Sequence, residues 1–335
     1  MSRGERSVPR TARAYWTTAK GEGEIREEPL RTPGSGEVLV RALASGISRG
    51  TELLVHRHEV PESVADAMRA PHQEGDLPGP VKYGYLAVGI VEAGPPELEG
   101  RRVFCLHPHQ DWFVVPAGDV VPVPDDVPTE RAVLTGTVET AVNALWDAGP
   151  RIGDRVAVVG AGMVGLSIAL LLHRHPLGRL QVVETDSARR DAIEAMGLAA
   201  VAPEDADGDC DLVFHTSASE PGLATALRLL GTEGEVIELS WYGERSPRVD
   251  LGGRYHSERL SIRASQVGRV SPARAARRSF ADRLAVALDA LSDSAFDALL
   301  SGPAAFEDLP DVMADLAEGR RDAMCHVITY PDPQE

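Results

Sequence analysis

The stretch Asp154-Arg155-Val156-Ala157-Val158-Val159-Gly160-Ala161-Gly162-Met163-Val164-Gly165-Leu166 decides the fold. Its first half is apolar, β-branched and free of glycine and proline, which predicts a short buried strand over 155–159. Gly160, Gly162 and Gly165 then follow the G-x-G-x-x-G pattern, and an apolar helix is predicted over 163–173. Glycine at these places permits a tight turn, close approach of a pyrophosphate to the backbone, and close packing of helix on strand.

This strand, turn and helix predict a dinucleotide site. A pyrophosphate would lie on the open N–H groups of the helix start, at Met163 and Val164. The next apolar run, Leu180-Gln181-Val182-Val183, ends in Glu184, 19 residues after Gly165. A carboxylate at that place binds the ribose 2′-OH of NAD and repels the 2′-phosphate of NADP, so we predict NAD as the cofactor and NADP as the less favoured one.

Other interpretations of the glycine turn stay open. Arg189 and Arg190 follow Glu184 closely, and basic residues there can accept the 2′-phosphate of NADP. A Rossmann-like domain that has lost its ligand would keep the same glycines. An S-adenosylmethionine enzyme also uses a glycine turn and an acidic residue at a strand end.

Composition limits the function classes. The chain has 335 residues, enough for two domains with full cores, and its net charge of −17 argues against a nucleic-acid or anionic-membrane partner. No run of about 18 apolar residues is present, and the N-terminus lacks an apolar signal core. Cys105, Cys210 and Cys325 are scattered and odd in number, which favours a cytoplasmic location and excludes a four-cysteine zinc site.

The order of elements predicts two kinds of domain. From Ala14 to Val115 the sequence alternates short strands with turn residues, which is typical of a β-rich domain. Strands over 155–159, 180–184, 212–215, 235–239 and 260–265 then alternate with helices, which predicts a doubly wound parallel sheet. A helix over 273–291 and a strand over 324–330 end the pattern.

These features resemble the medium-chain dehydrogenase/reductase superfamily. The resemblance rests on Gly36-Glu37-Val38-Leu39-Val40-Arg41, on the glycine turn with its Gly153-Asp154 lead, on Ala195-Met196-Gly197-Leu198-Ala199, and on the C-terminal Ala305-Phe306-Glu307-Asp308-Leu309-Pro310. The chain also resembles the subgroup that includes the bacteriochlorophyllide hydroxyethyl dehydrogenase of pigment synthesis. The resemblance implies a Rossmann domain over 136–271, inserted in a GroES-like β-rich substrate domain over 1–135 that residues 272–335 complete. It also implies a homodimer.

The sequence departs from the zinc enzymes of that superfamily at the metal ligands. By resemblance, the first ligand position is Ser48, the second is Tyr85 and the third falls near Gly136. These residues cannot supply the thiolates and imidazole that tetrahedral zinc requires, so we predict no zinc. The histidines at 107 and 109, with Cys105, could suggest another metal site, but a polar loop is the favoured interpretation.

Without zinc, a side chain must donate to the reacting oxygen of an alcohol or carbonyl substrate. The candidates cluster at the former metal site: Lys82, Tyr83, Tyr85 and Ser48. A lysine beside a tyrosine would lower the pKa of the phenol. Each candidate also has a plain structural alternative, the tyrosines as packing aromatics and Lys82 as a surface charge or a substrate anchor.

Further candidates line the predicted substrate and cofactor sites. Arg49 could bind an anionic substrate or pair with Glu52, His107 could face the substrate, and Trp241 could shape a flat apolar pocket or pack at a subunit interface. By resemblance, the cofactor is also contacted by Thr140, Ser217, Ser240 and Gln266. Glu139, beside Thr140, could reach the site or cap its helix.

We therefore predict a zinc-independent, NAD(H)-linked oxidoreductase that interconverts an alcohol and a carbonyl on a small molecule. Two alternatives are retained: an NAD(P)H-dependent quinone or enoyl reductase, and a nucleotide-binding protein without catalytic activity.

Overall fold

The computed structural model describes residues 9–331, and residues 1–8 and 332–335 lie outside the described part. The chain forms two compact units. The first comprises the described residues up to Leu134 and from Ser301 onward, and the second is Thr135–Leu300. The second unit therefore interrupts the sequence of the first.

The first unit begins with β1 (Thr11–Ala19), β2 (Glu22–Pro29), β3 (Glu37–Ser48), α1 (Arg49–His56), β4 (Glu74–Gly75), β5 (Val81–Lys82), β6 (Ala87–Ala93), β7 (Arg102–Cys105), β8 (Trp112–Pro116), β9 (Val120–Pro122) and α2 (Thr129–Ala132). The second contains α3 (Thr135–Ala148), β10 (Arg155–Val159), α4 (Met163–Leu172), β11 (Arg179–Val183), α5 (Ser187–Ala195), β12 (Ala200–Val201), β13 (Cys210–His215), α6 (Glu220–Leu229), β14 (Leu230–Glu238), α7 (Arg254–Ser257), β15 (Ser261–Ala264) and α8 (Phe280–Ala290). The chain ends with β16 (Leu300–Ala305), α9 (Leu309–Ala317) and β17 (Cys325–Thr329).

The first unit is built on antiparallel sheets. Seven strands form one sheet in the order β16-β17-β3-β6-β7-β9, with β8 also paired to β3, and a second sheet has the order β2-β1-β5-β4. Alternate residues of β3, among them Val38, Val40 and Ala42, pack into the core with Phe306 and Leu309. The strand from the C-terminal segment pairs directly with β3, so this segment completes the β-rich unit.

The second unit is a six-stranded parallel sheet in the order β12-β11-β10-β13-β14-β15. Numbered within this unit, the order is 3-2-1-4-5-6, which is that of a Rossmann dinucleotide-binding fold. Residues 156–159 of the central strand are at most 4% exposed, as expected for a strand covered on both faces. The predicted fold class, a Rossmann sheet inserted in a β-rich chain, is confirmed.

The predicted helix over 273–291 begins later than expected. Residues 272–277 form turns, and α8 starts at Phe280. The reason is local: Ser279 and Asp282 form a capping box, in which each side chain accepts a backbone N–H of the other residue. Helix α8 then packs on α3, so residues 272–300 belong to the second compact unit, whereas the expected boundaries gave them to the first domain.

We expect Gly165→Ala to destabilise the protein, because a Cβ at this position would lie 2.0 Å from the carbonyl oxygen of Gly160. The cost should be about 1–3 kcal/mol of unfolding free energy, as for other overpacked sites, measured by urea denaturation. Gly162→Ala is the matched control, because its Cβ would meet nothing within 4 Å. Equal unfolding midpoints for the two variants would contradict the prediction.

Candidate functional site

The glycine turn joins β10 to α4 and leaves the helix start open. Gly160 has φ +102°, a conformation that favours glycine, and its backbone passes close to Ser217. Gly162 is the N-cap of α4, and no side chain in the described part of the chain caps this helix end. The first N–H groups, including those of the predicted contacts Met163 and Val164, are therefore available for an anion, which the helix dipole favours.

Glu184 lies immediately after β11, at the position where a carboxylate selects NAD. It is 8% exposed, and its Oε2 accepts the N–H of Ala161 in the glycine turn at 3.1 Å. Its Oε1 accepts the N–H of Asp186 at 3.0 Å and the hydroxyl of Thr185 at 3.1 Å. The carboxylate is thus held against the turn, in a fixed orientation. These residues fit the phosphates and ribose of a dinucleotide.

Arg190, one of the two arginines that kept NADP open as an alternative, is engaged by the backbone. Arg190 Nη1 donates to the carbonyl oxygens of Glu184 and Thr185 at 2.8 and 2.9 Å. Its guanidinium therefore stabilises the backbone behind the strand end. A 2′-phosphate placed here would still meet the carboxylate of Glu184, which repels it.

A chain of hydrogen bonds crosses the carboxyl ends of β13 and β14. His215 is fully buried; its Nδ1 lies 2.8 Å from Oε2 of Glu238, and its Nε2 lies 2.7 Å from Oγ of Ser217. Ser217 Oγ is in turn 2.9 Å from that of Ser219, and Ser240 Oγ accepts the N–H of residue 218 at 3.0 Å. The predicted contacts Ser217 and Ser240 are therefore oriented by a histidine–glutamate pair that the sequence analysis did not connect.

The second unit carries three more predicted site residues: Thr140 and Gln266 for the cofactor, and Trp241 for the substrate. The hydroxyl of Thr140 donates to the carbonyl of Gly136 in its own helix at 3.0 Å, and its side chain is half-buried. Trp241 is half-buried in the loop after β14, and Gln266 is exposed after β15. All three belong to the second unit. The cofactor contacts of Thr140 and Gln266 and the substrate-pocket role of Trp241 stay predictions.

Tyr85 and Ser48 come together in the first unit, as their candidate roles require. Tyr85 Oη donates to Ser48 Oγ at 2.6 Å, and both residues are half-buried. Burial, with a further contribution from the charge of Glu52, raises the pKa of Tyr85. The phenol is therefore protonated at neutral pH and is a hydrogen-bond donor.

Behind this pair, a buried polar chain runs through the core of the first unit. Glu52 accepts the backbone N–H of Ser48 at 2.7 Å and lies 2.9 Å from Nε2 of His109. His109 Nδ1 lies 2.7 Å from Oγ of Ser45, which is 2.9 Å from Oη of Tyr330. Glu52, His109 and Ser45 are at most 3% exposed. Sequence analysis did not predict this chain, because its members are far apart in the sequence.

The prediction that Lys82 lowers a tyrosine pKa is wrong. Lys82 Nζ lies 2.8 Å from Glu28 Oε2, 2.5 Å from Glu74 Oε1 and 2.9 Å from Gln110 Oε1, and its side chain is only 2% exposed. These partners neutralise its charge within the sheet β2-β1-β5-β4. Burial instead raises the pKa of Tyr83, as it does for Tyr85.

Two substrate candidates already have partners within the first unit. Arg49 pairs with Asp322 at 2.9 Å, and not with Glu52 as one alternative proposed. His107 is 5% exposed; its ring stacks on Phe113 with centroids 3.9 Å apart. Burial holds the pKa of His107 well below its usual range, so the imidazole is neutral.

The residues at the family's zinc positions do not fit zinc. Ser48 and Tyr85 are hydrogen-bonded to each other, and neither offers a thiolate or an imidazole. The alternative set of Cys105, His107 and His109 fits no better, because burial raises the pKa of the thiol and both ring nitrogens of His109 are engaged. Across residues 9–331, no three His, Cys, Asp or Glu side chains are grouped so as to hold a metal ion.

Comparisons with known proteins agree with this fold. No family model matches the chain. It is 25% identical over 202 residues to the L-threonine 3-dehydrogenase of Anaeromyxobacter sp. (strain Fw109-5), covering 50% of this chain and 54% of that protein. It is 29% identical over 194 residues to the sorbitol dehydrogenase of Bos taurus, covering 50% and 53%. The chain thus spans about half the length of the curated relatives it matches.

Solved structures match over nearly the whole chain. The 2R,3R-butanediol dehydrogenase of Bacillus subtilis aligns with a TM-score of 0.77 at 16% identity, covering 96% of this chain and 100% of that one. The acetophenone reductase of Geotrichum candidum, solved in complex with NAD, aligns at 0.76 and 18%, covering 97% and 98%. The chain therefore has the fold of these dehydrogenases. Among the residues that the structure describes, no helix is long and apolar enough to cross a membrane.

The buried His107 makes the stability of this protein depend on pH. The unfolded chain binds a proton on this residue below about pH 6.5, whereas the native state does not, so stability is lost as the pH falls through that value. Between pH 6.5 and 5, His107 should lower the free energy of unfolding by about 2 kcal/mol. The variant His107→Phe, which keeps a ring against Phe113, should lose this contribution. Urea denaturation at each pH measures both. Between pH 7 and 8, the unfolding free energies of wild type and His107→Phe should differ by a constant amount. If this difference stayed constant down to pH 5, the prediction would be contradicted.

Proposed function

We propose that this chain is an NAD(H)-linked oxidoreductase that interconverts an alcohol and a carbonyl on a small molecule, without zinc. The observation that carries the proposal is the buried carboxylate of Glu184, held against an uncapped glycine turn. This arrangement offers open N–H groups to a pyrophosphate and an acceptor to a ribose diol. Bound NAD(H) supplies or accepts the hydride.

The second unit contributes binding and orientation. The turn at Gly160–Gly165 brings backbone close to the pyrophosphate position, and Glu184 discriminates against a 2′-phosphate by charge repulsion. Ser217 and Ser240, fixed by His215 and Glu238, present hydroxyl groups at the carboxyl edge of the same sheet. Open parallel sheets bind their ligands at this edge.

The first unit contributes the proton. Tyr85 holds it, since burial raises the pKa of the phenol, and passes it through Ser48 to the reacting oxygen. A neutral donor suits the reductive direction, in which the carbonyl oxygen gains a proton as the carbon gains hydride. Tyr85 and Ser48 are therefore the proposed catalytic residues.

Glu52 and His109 are proposed as positioning residues for this pair. Glu52 accepts the N–H of Ser48 and so fixes Ser48, with its hydroxyl, at the start of α1. His109 fixes the other carboxylate oxygen. A buried carboxylate with both oxygens bonded has little freedom to move, which keeps Ser48 within reach of Tyr85.

Zinc independence, cellular location and assembly belong to the same proposal. Ser48 and Tyr85 support catalysis by side chains, because they replace two metal ligands with hydroxyl groups that already bond each other. The acidic composition, with a net charge of −17 and three free, buried cysteines, supports a cytoplasmic protein that binds neither nucleic acid nor membranes. A homodimer follows from the family resemblance.

We expect Glu184→Gln to lower the preference for NADH. Loss of the charge weakens the bond to the ribose diol of NADH and removes the repulsion of the NADPH phosphate, so the ratio of the two affinities should fall by about tenfold, or roughly 1.4 kcal/mol. Tryptophan fluorescence titration with both nucleotides measures this ratio. Asp191→Gln, on the neighbouring helix α5, is the charge-matched control. An unchanged ratio in Glu184→Gln would contradict the assignment, and failure of the wild type to bind NADH would remove the proposed function altogether.

We expect Tyr85→Phe to slow carbonyl reduction by about 10²–10⁴-fold while NADH binds as before, because the proton donor is lost. A panel of ketones, aldehydes, enones and quinones first identifies a substrate, and single-turnover oxidation of NADH then measures the step. Tyr83→Phe is the matched control, since it removes a hydroxyl from the adjacent ring, 6.1 Å away. The same preparations are assayed for metals. Stoichiometric zinc, lost together with activity on chelation, would contradict the zinc-independent mechanism, and tight NADH binding without turnover on the panel would favour a catalytically inactive nucleotide-binding protein.

A further inference from the structure

One segment of the second unit has a charge opposite to that of the whole chain. Residues 259–281 contain six arginines and no aspartate, glutamate or lysine, in a protein of net charge −17. Two of the six have carboxylate partners: Arg259 pairs with Glu233, and Arg263 pairs with Glu235. The other four lie in residues 269–278, which we call the arginine segment.

The arginines of this segment are exposed and lack ion pairs. Arg269, Arg274, Arg277 and Arg278 are all exposed, and none forms an ion pair within 4.0 Å in the described part of the chain. The nearest acid in sequence is Asp282. Its carboxylate is engaged by the N–H and the hydroxyl of Ser279, which lower its pKa together with the charge of Arg278.

The turns of the arginine segment bring like charges together. The N–H groups of Arg277 and Arg278 both donate to the carbonyl of Arg274, at 2.9 and 3.0 Å. Residues three and four apart on such a turn are neighbours, so Arg274 lies next to Arg277 on one side and to Arg278 on the other. Like charges at this spacing repel each other, and a bound anion would relieve the repulsion.

The backbone of the segment is fixed from below by a buried cluster. Arg283, 1% exposed, donates to the carbonyls of Val267 at 2.6 Å and Arg269 at 3.1 Å, and pairs with Glu139 at 2.9 Å. Asn143 Oδ1 accepts both Arg283 Nη1 at 2.5 Å and the N–H of Ser271 at 2.9 Å. The start of the segment is therefore held on α3 and α8, which reduces the ordering cost of binding.

The segment also begins at the edge of the sheet where ligands bind. It follows β15 after a short connection, and the N–H of Ser265 still donates to the carbonyl of Glu238 at 2.9 Å. The carboxyl ends of parallel strands meet at this edge. The connection that leads to the arginine segment thus starts at this edge.

We propose that the arginine segment is an anion site that binds a small molecule carrying a phosphate group. Guanidinium groups match the geometry of phosphate oxygens, with paired N–H donors for paired acceptors. The ligand is a small molecule and not a long polyanion, because a net charge of −17 repels an extended nucleic acid or membrane outside the local patch. This site is distinct from the glycine turn, and the proposal does not depend on the proposed oxidoreductase activity.

The test is calorimetric titration of the full chain with inorganic phosphate and pyrophosphate at low ionic strength. Wild type should bind pyrophosphate saturably, and the variant Arg274→Gln/Arg277→Gln/Arg278→Gln should bind it about tenfold more weakly or worse. The matched control is Arg101→Gln/Arg151→Gln/Arg248→Gln, which changes the net charge equally at exposed arginines elsewhere. It should bind as wild type does. Circular dichroism verifies that both variants are folded.

Equal weakening in both triple variants would overturn the proposal, because it would reduce the effect to net charge, and so would the absence of saturable binding by wild type. A second arm repeats the wild-type titration with NADH present. Pyrophosphate binding that persists in this arm supports a separate site, whereas complete displacement by NADH with the arginine variant unaffected would place the anion at the glycine turn. Absence of NADH binding would count against the proposed function alone, since the arginine variants still test the anion site.

Discussion

The close packing of α4 against the end of β10 is the constraint on which the proposed nucleotide site depends. A Cβ at Gly165 would lie 2.0 Å from the carbonyl of Gly160, so helix and strand approach as closely as glycine alone permits. This approach turns the open end of α4 toward the carboxyl edge of the sheet. It also brings the N–H of Ala161 within 3.1 Å of Glu184, so that this carboxylate and the glycine turn, the two parts of the proposed nucleotide site, form one rigid element.

Three buried carboxylates fix the backbone around them. Glu52, Glu139 and Glu184 are each at most 8% exposed, and each is bonded to donors that fix both its position and that of its partner. Burying such a group without partners would be strongly unfavourable, so each of them organises the backbone around it. Glu52 orders the residues that carry the proposed proton donor, and Glu139, through Arg283, orders the base of the arginine segment.

Local pattern predicted the central elements well and the polar contacts poorly. The strand over 155–159 and the helix from Met163 were predicted with their starts correct, because apolar runs bounded by glycine leave few alternatives. The helix expected from Ala273 starts at Phe280, since a capping box outweighed the helical composition before it. Lys82 was expected beside a phenol, but its charge is matched by Glu28 and Glu74 from neighbouring segments, which sequence distance does not reveal.

By itself, the sequence determined the parallel sheet, the glycine turn and the acid at Glu184, because each arises from residues close together in the chain and from backbone rules that act locally. Only the tertiary structure decided which polar side chains meet. His215 and Glu238 are joined by the register of two parallel strands, and Glu52 meets His109 across 57 residues. The physical reason is that burial gives these contacts their strength, and burial is a property of the packed fold and not of any single segment.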